Sequence, residues 1–283
     1  MAIGNQLKTA LLLGILTGLL LLIGSFWGQS GLLIALIFSI LLNFIAYWFS
    51  DKIALAMYRA KAVTEKEELI LYKAVKEVSS LAKIPTPRVF VIPAPYANAF
   101  ATGRNPKHSA VAATRGILDL LNEEELKGVI AHEVSHIKNR DILISSVAAV
   151  IAGVISYIAM MARWSAIFGY GRDEEGNSGL ELLVFAILTP IIAAIIRLAI
   201  SRSREYLADA SGARIVGSGE GLASALLKLE QSAKHISLAP TPKAQATSHL
   251  FISNPFRGRS FLSFFMTHPP VEKRVERLRS QKF

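Results

Sequence analysis

The residues with the clearest chemistry are His132-Glu133-x-x-His136. Leu126, Val129, Ile130, Val134 and Ile137 recur around them at helical spacing, so the two histidines, four apart, fall on one helix face. Two imidazoles aimed at one point are what a zinc ion needs from nitrogen ligands, at roughly 2.0–2.1 Å. Glu133 follows the first histidine closely enough to address a water at the ion without binding the ion itself. Zinc lowers the pKa of such a water to about 7, and a carboxylate beside it takes the proton during attack on a carbonyl.

Two histidines leave the site one protein ligand short. The chain has no cysteine, so the third must be Asp, Glu or another His. Glu205 is the best candidate, with Asp209 four residues later on the same helical face. A carboxylate so placed could hydrogen-bond a ligand imidazole and fix its tautomer. The opposing reading is a solvated charged face formed by Arg204, Glu205 and Asp209. His108, His235 and His249 have neither helical pairing nor a carboxylate partner, and no metal role is expected for them.

The elements that must hold these residues can be sketched. Asn122 is an N-cap for the histidine helix, and Glu125 is placed to close a capping box. Ahead of it, an amphipathic run from Glu65 to Leu81 ends at Pro85-Thr86-Pro87. Strands are predicted at Arg88–Ile92, Asn98–Thr102 and Ser109–Thr114, with Gly103–His108 as a turn. Beyond Arg197 a helix is expected to reach Gly217, then another over Leu222–Lys234. A basic helix over Val271–Arg279 follows Thr267-His268-Pro269-Pro270.

Hydrophobic residues make up 52% of the 283, concentrated in a few runs. Thr9–Trp27 and Leu32–Ser50 are each 19 residues without a charge, separated by Gly28-Gln29-Ser30-Gly31. Each would reach about 28 Å, enough for a bilayer core. Ile142–Ala162 gives a third such run of 21 and Leu182–Ile196 a shorter fourth of 15. Net charge is +10, and residues 197–283 hold 14 Lys+Arg against 6 acids. With four spans drawn, the basic segments share one side, so both termini and the histidine helix are expected in the cytoplasm. The positive charge is read this way rather than as a nucleic-acid site. The expected layout is a membrane hairpin over 1–50, the first part of a protease domain over 51–141, a second hairpin over 142–200, and the rest of the domain over 201–283.

The motif set His132-Glu133-x-x-His136, Glu205-x-x-x-Asp209, Asn98-Ala99-Phe100-Ala101-Thr102-Gly103, and Thr267-His268-Pro269-Pro270 with Arg274 resembles the HtpX family. These are membrane zinc metalloproteases related to the CAAX prenyl protease, and the resemblance spans essentially the whole chain. It implies a mainly α membrane fold of four hydrophobic helices plus a cytosolic gluzincin-type α+β metalloprotease domain with a small β-sheet. One Zn2+ per chain would be held by His132, His136 and Glu205, with Glu133 as general base and Asp209 behind a ligand. Asn98, Ala99, Phe100 and Ala101 would form an edge strand on which extended substrate lies, with Arg274 also on the substrate side. His268 would donate to the oxyanion, or would simply open the final helix with its two prolines.

The implied function is quality control in the bacterial inner membrane: cleavage of misfolded or damaged membrane proteins at the cytosolic face, with self-cleavage. Two other readings are weighed. A CAAX-type processing protease is disfavoured by four spans in place of a larger helical chamber. A membrane scaffold with a vestigial zinc site is disfavoured by an intact Glu133.

Overall fold

Two apolar helices, α1 (Ala2–Ser25) and α2 (Gly28–Trp48), open the chain. The computed structural model describes residues 2–25, 28–167, 202–235, 252, 269–281 and 283. Asn43 Nδ2 of α2 donates to Thr17 Oγ1 of α1 at 2.8 Å, a polar tie between two otherwise greasy surfaces. Both helices are long and apolar enough to cross a membrane, and only 28% and 17% of their apolar windows are buried. A core helix of a soluble protein would be mostly covered, whereas Leu33, Ile34, Ile37, Phe38 and Phe44 of α2 stand exposed. The expected separator Gly28–Gly31 is not a loop: α2 starts at Gly28, whose φ of +70° glycine tolerates.

After α2 come α3 (Ser50–Met57), β1 (Lys61–Ala62) and α4 (Leu69–Ala82). Helix α4 starts later than Glu65 because Thr64 donates backbone and hydroxyl to Glu67, folding that stretch into a turn. Next are β2 (Arg88–Ile92), β3 (Ala99–Asn105), β4 (His108–Thr114), α5 (Arg115–Leu120), α6 (Glu123–Lys138) and α7 (Ile142–Ile167). The described remainder holds α8 (Arg202–Val216), α9 (Glu220–His235) and α10 (Val271–Ser280). The predicted fourth apolar segment, Leu182–Ile196, lies outside the described residues, as does His268.

Among the described residues the strands form one sheet in the order β1-β2-β4-β3. The central β2–β4 pair is parallel and the outer two pairs are antiparallel. The two-residue β1 is too short to read from the sequence. The β3–β4 hairpin turns at Pro106-Lys107, later than predicted, so Gly103 is a strand residue. Its φ of +135° sits where the register shifts, and a Cβ there would meet His108 O at 2.2 Å. The glycine serves a bulge rather than a turn.

Alternation along β3 and β4 sends side chains to two covered faces. Ala99, Ala101, Val111 and Ala113 join the main core with α4, α6, α8, α9 and α10. Phe100, Ala110 and Ala112 pack instead with Leu55 of α3 and Ala149 of α7. The first half of α7 also packs on α1 through Ile144, Val147, Ile151 and Leu12, Leu16 and Leu20, so α7 lies between α1 and the sheet.

Candidate metal centre

Helix α6 carries the two histidines, and its start is fixed by the capping box. Asn122 Oδ1 accepts from Glu125 N, while Glu125 Oε2 accepts from Asn122 N. Glu125 also receives Ser224 Oγ and Lys228 Nζ of α9, which burial alone would make costly for a carboxylate. Burial pushes this carboxyl up, but Lys228, Ser224 and the Asn122 amide outweigh it and hold it below its ordinary value.

Helix α8 crosses α6 at Gly212, where an added Cβ would lie 2.9 Å from Ala131 C and His132 N. Glu205, Asp209 and Gly212 recur at helical spacing, so the face that touches α6 also carries both carboxylates. They are 5% and 3% exposed, which rules out the solvated charged face.

His132, His136 and Glu205 offer one ligand atom each, all within 4.8 Å of one another. The two Nε2 atoms are 3.1 Å apart. Glu205 reaches His136 Nε2 at 3.6 Å and His132 Nε2 at 3.7 Å. Ligands of a tetrahedral ion at 2.0–2.1 Å stand about 3.3 Å apart, so the separations fit a single ion. Two imidazole lone pairs facing each other at this distance also need a proton or cation between them. Burial pushes His136 down, yet Asp141, Glu205 and Glu133 raise its pKa to about 9. The pocket is built to hold positive charge.

The outer nitrogens of both imidazoles are tied to carboxylates. Asp209 Oδ1 lies 2.9 Å from His132 Nδ1, and Asp141 Oδ2 lies 3.3 Å from His136 Nδ1. Each carboxylate calls for a donor, so Nδ1 carries the proton and Nε2 is free to ligate. The sequence reading names Asp209 and misses Asp141. Its signal is an Asp five residues past His136, but it reaches the ring only because Arg140 takes a left-handed φ of +60° and turns the chain back.

Arg274 stands elsewhere than the substrate side expected for it. Its side chain is 1% exposed and forks onto Asp209, with Nε to Oδ2 at 2.9 Å and Nη2 to Oδ1 at 2.7 Å. A guanidinium committed in this way has no face to offer a peptide. It backs the carboxylate that backs His132. Burial pushes the Asp209 carboxyl up, but Arg274 and His132 overcome this and lower its pKa to about 2.

Glu133 points from α6 to the edge strand, where its Oε2 accepts the Ala101 N–H at 2.8 Å. Burial pushes its carboxyl above the ordinary value, against the pull of His132 and His136. Strand β3 is at the sheet edge, preceded by Asn98. The Phe100 side chain is turned away into the core, its ring centroid 5.4 Å from that of Tyr58, so any substrate contact from Ala99 to Ala101 is through backbone. Asn98 Oδ1 accepts from Ile252 N, and Arg274 Nη1 donates to Ile252 O, so one residue is clamped between two motif side chains.

Residues 65–282 match the model of peptidase family M48. The "Protease HtpX homolog" of Pyrococcus furiosus is 51% identical over 281 residues, covering 99% of this chain and 96% of that protein. That of Persephonella marina is 53% identical over 280 residues, covering 97% and 96%. Among solved structures, S. mikatae Ste24p aligns with a TM-score of 0.50 at 18% identity, over 98% of this chain and 66% of that one. At that identity the likeness is one of fold.

Proposed function

Because the chain belongs to peptidase family M48 and is a membrane metalloprotease, we propose that it is a zinc-dependent endopeptidase. Its substrates would be misfolded or damaged membrane proteins, cut at the cytosolic face of the bacterial inner membrane, with self-cleavage as a side reaction. The observation that carries this reading is the cluster of His132, His136 and Glu205, with the buried Glu133 carboxylate beside it.

In this reading the three residues of the cluster hold zinc, which when bound supplies Lewis acidity toward water and the scissile carbonyl. Glu133 takes a proton from the attacking water and returns it to the leaving amine nitrogen. A carboxyl held above its ordinary value suits both steps, being a better proton acceptor than a solvated carboxylate. The Ala101 N–H holds one Glu133 oxygen, leaving the other to face the reacting atoms. Asp209 and Asp141 keep both ligand imidazoles in the tautomer that presents Nε2.

Substrate would lie extended along the β3 edge. Two amides there are already engaged by the protein, Ala101 by Glu133 and Gly103 by Ser146 Oγ at 3.3 Å, so pairing would start ahead of them. The segment 142–200 would form the second membrane hairpin, set between the two halves of the protease domain and tethering it at the bilayer surface. Charge supports the orientation: residues 51–141 hold 14 Lys+Arg against 11 acids, and the sequence 163–181 holds 2 against 4.

Two measurements test the reading. Zinc content after chelation and reloading should approach one per chain in wild type and fall well below it in His132→Ala, His136→Ala and Glu205→Ala. Full zinc in Glu205→Ala would remove that ligand. Since the chain has no cysteine, single Cys substitutions at Gln29, Asp173 and Asn105 can be labelled on intact cells with an impermeant reagent. Labelling at 29 and 173 but not 105 is expected, and the reverse pattern would overturn the orientation.

A further inference from the structure

We infer that the cavity between the end of α2 and the β3–β4 hairpin binds the headgroup of an anionic phospholipid whose acyl chains lie along the outer face of α2. The inference rests on α2 being a membrane span. The cavity has a volume of about 480 Å³, and its lining includes Phe44, Trp48, Lys52, Arg104, Lys107 and His108. That is an ordinary size for a small-molecule site.

Its charge is one-sided. Asp51 also lines the cavity, but it is taken by Arg88. Among the described residues, no carboxylate lies within ion-pair distance of Lys52, Arg104 or Lys107. These three cations come from two separate parts of the chain, the start of α3 and the hairpin, and converge on one space. The Arg104 guanidinium lies 4.5 Å from the Trp48 ring centroid and the Lys52 ammonium 5.2 Å from that of Phe49. Each contact places a cationic head over an aromatic ring at the cavity wall, while Lys52 itself stays exposed to solvent.

The walls identify the occupant. Phe44 and Trp48 are 53% and 45% exposed and end the apolar stripe of Leu33, Ile37, Phe38 and Leu41, which no described residue covers. Aromatic rings at the end of a span mark the headgroup level, and basic side chains there meet lipid phosphates. A soluble phosphate or acidic peptide would use the cations and leave the aromatic wall bare. A phospholipid uses both, with phosphate on Lys52, Arg104 and Lys107 and glycerol and upper acyl carbons on Phe44 and Trp48. Such a lipid would pin the hairpin to the membrane surface, and β3 of that hairpin is the strand that touches Glu133.

The test uses the full chain in detergent, with lipid retention measured by native mass spectrometry. Wild type should keep dioleoyl phosphatidylglycerol about tenfold more tightly than dioleoyl phosphatidylcholine, a modest return for several surface cations. The preference should fall to within about twofold in Arg104→Gln/Lys107→Gln. Lys107→Gln alone, at the exposed hairpin turn, should fall between, and melting temperature reports whether each variant is folded. Equal preference in wild type and a folded double variant would overturn the inference. So would displacement of the phosphatidylglycerol by excess inorganic phosphate, which would mark a soluble-anion site. Alkaline extraction of membranes separates the underlying premise: wild type leaving the membrane would remove the span itself, whereas retention without lipid preference would remove only the headgroup site.

Discussion

Asp209 Oδ1 stands 2.9 Å from His132 Nδ1, and the Arg274 guanidinium closes the far side of the same carboxylate. A chain of three side chains from three helices thus ends on the outer nitrogen of the imidazole whose Nε2 faces His136 and Glu205. Asp209→Asn should weaken zinc binding by about 10–100-fold, with activity partly restored by excess zinc. Asp209→Glu should rescue poorly, because a longer arm misplaces the acceptor. Equal zinc affinities in Asp209→Asn and wild type would remove Asp209 from the site.

Arg274→Ala should be worse for stability than for chemistry as such. It leaves the buried Asp209 charge without its partner, a change that costs about 3–5 kcal/mol. Arg274→Lys cannot fork and should recover only part. Thermal melts of both variants, read against zinc affinity, check this. A melt unchanged in Arg274→Ala would contradict the buried pair.

Sequence and structure agree where the relevant contact is local. The capping box of Asn122 and Glu125, the pairing of His132 with His136, and the shared face of Glu205 and Asp209 all follow from spacing along one helix. Arg274 is different, since it lies 65 residues from Asp209 and nothing local announces the pairing. Asp141 required knowing that Arg140 adopts a left-handed φ, which a non-glycine residue rarely does. A bulge and a turn ask for the same residue, so a glycine at 103 does not by itself say where the β3–β4 hairpin ends.

Gly212 is the crossing point of α6 and α8, and Gly212→Ala should force the helices apart. Overpacking of this kind costs about 1–3 kcal/mol, and here it also draws Glu205 away from the histidines. Both the melting temperature and zinc affinity should fall. Gly14→Ala in α1, where a Cβ meets nothing within 4 Å, is the control and should lower neither.

Glu125 gives a pH dependence with a definite sign. Its carboxyl is held below the ordinary value of 4.5, so its contribution is fully present above that pH. It is lost as pH falls through the lower folded value. Glu125→Gln should lower the melting temperature at neutral pH and flatten the acid limb of its pH profile. Parallel acid limbs in variant and wild type would show that the Lys228 and Ser224 bonds do not stabilise the ionised form.

The most direct test is Glu133→Gln, because the amide is nearly isosteric with the carboxylate but cannot take a proton. Zinc content and casein cleavage should be measured on the same reloaded preparation. Zinc should remain near the wild-type level while turnover falls by about 100-fold or more, the loss typical of a missing general base. Full zinc with turnover within a few-fold of wild type would contradict the assignment of Glu133 and the proposed mechanism with it.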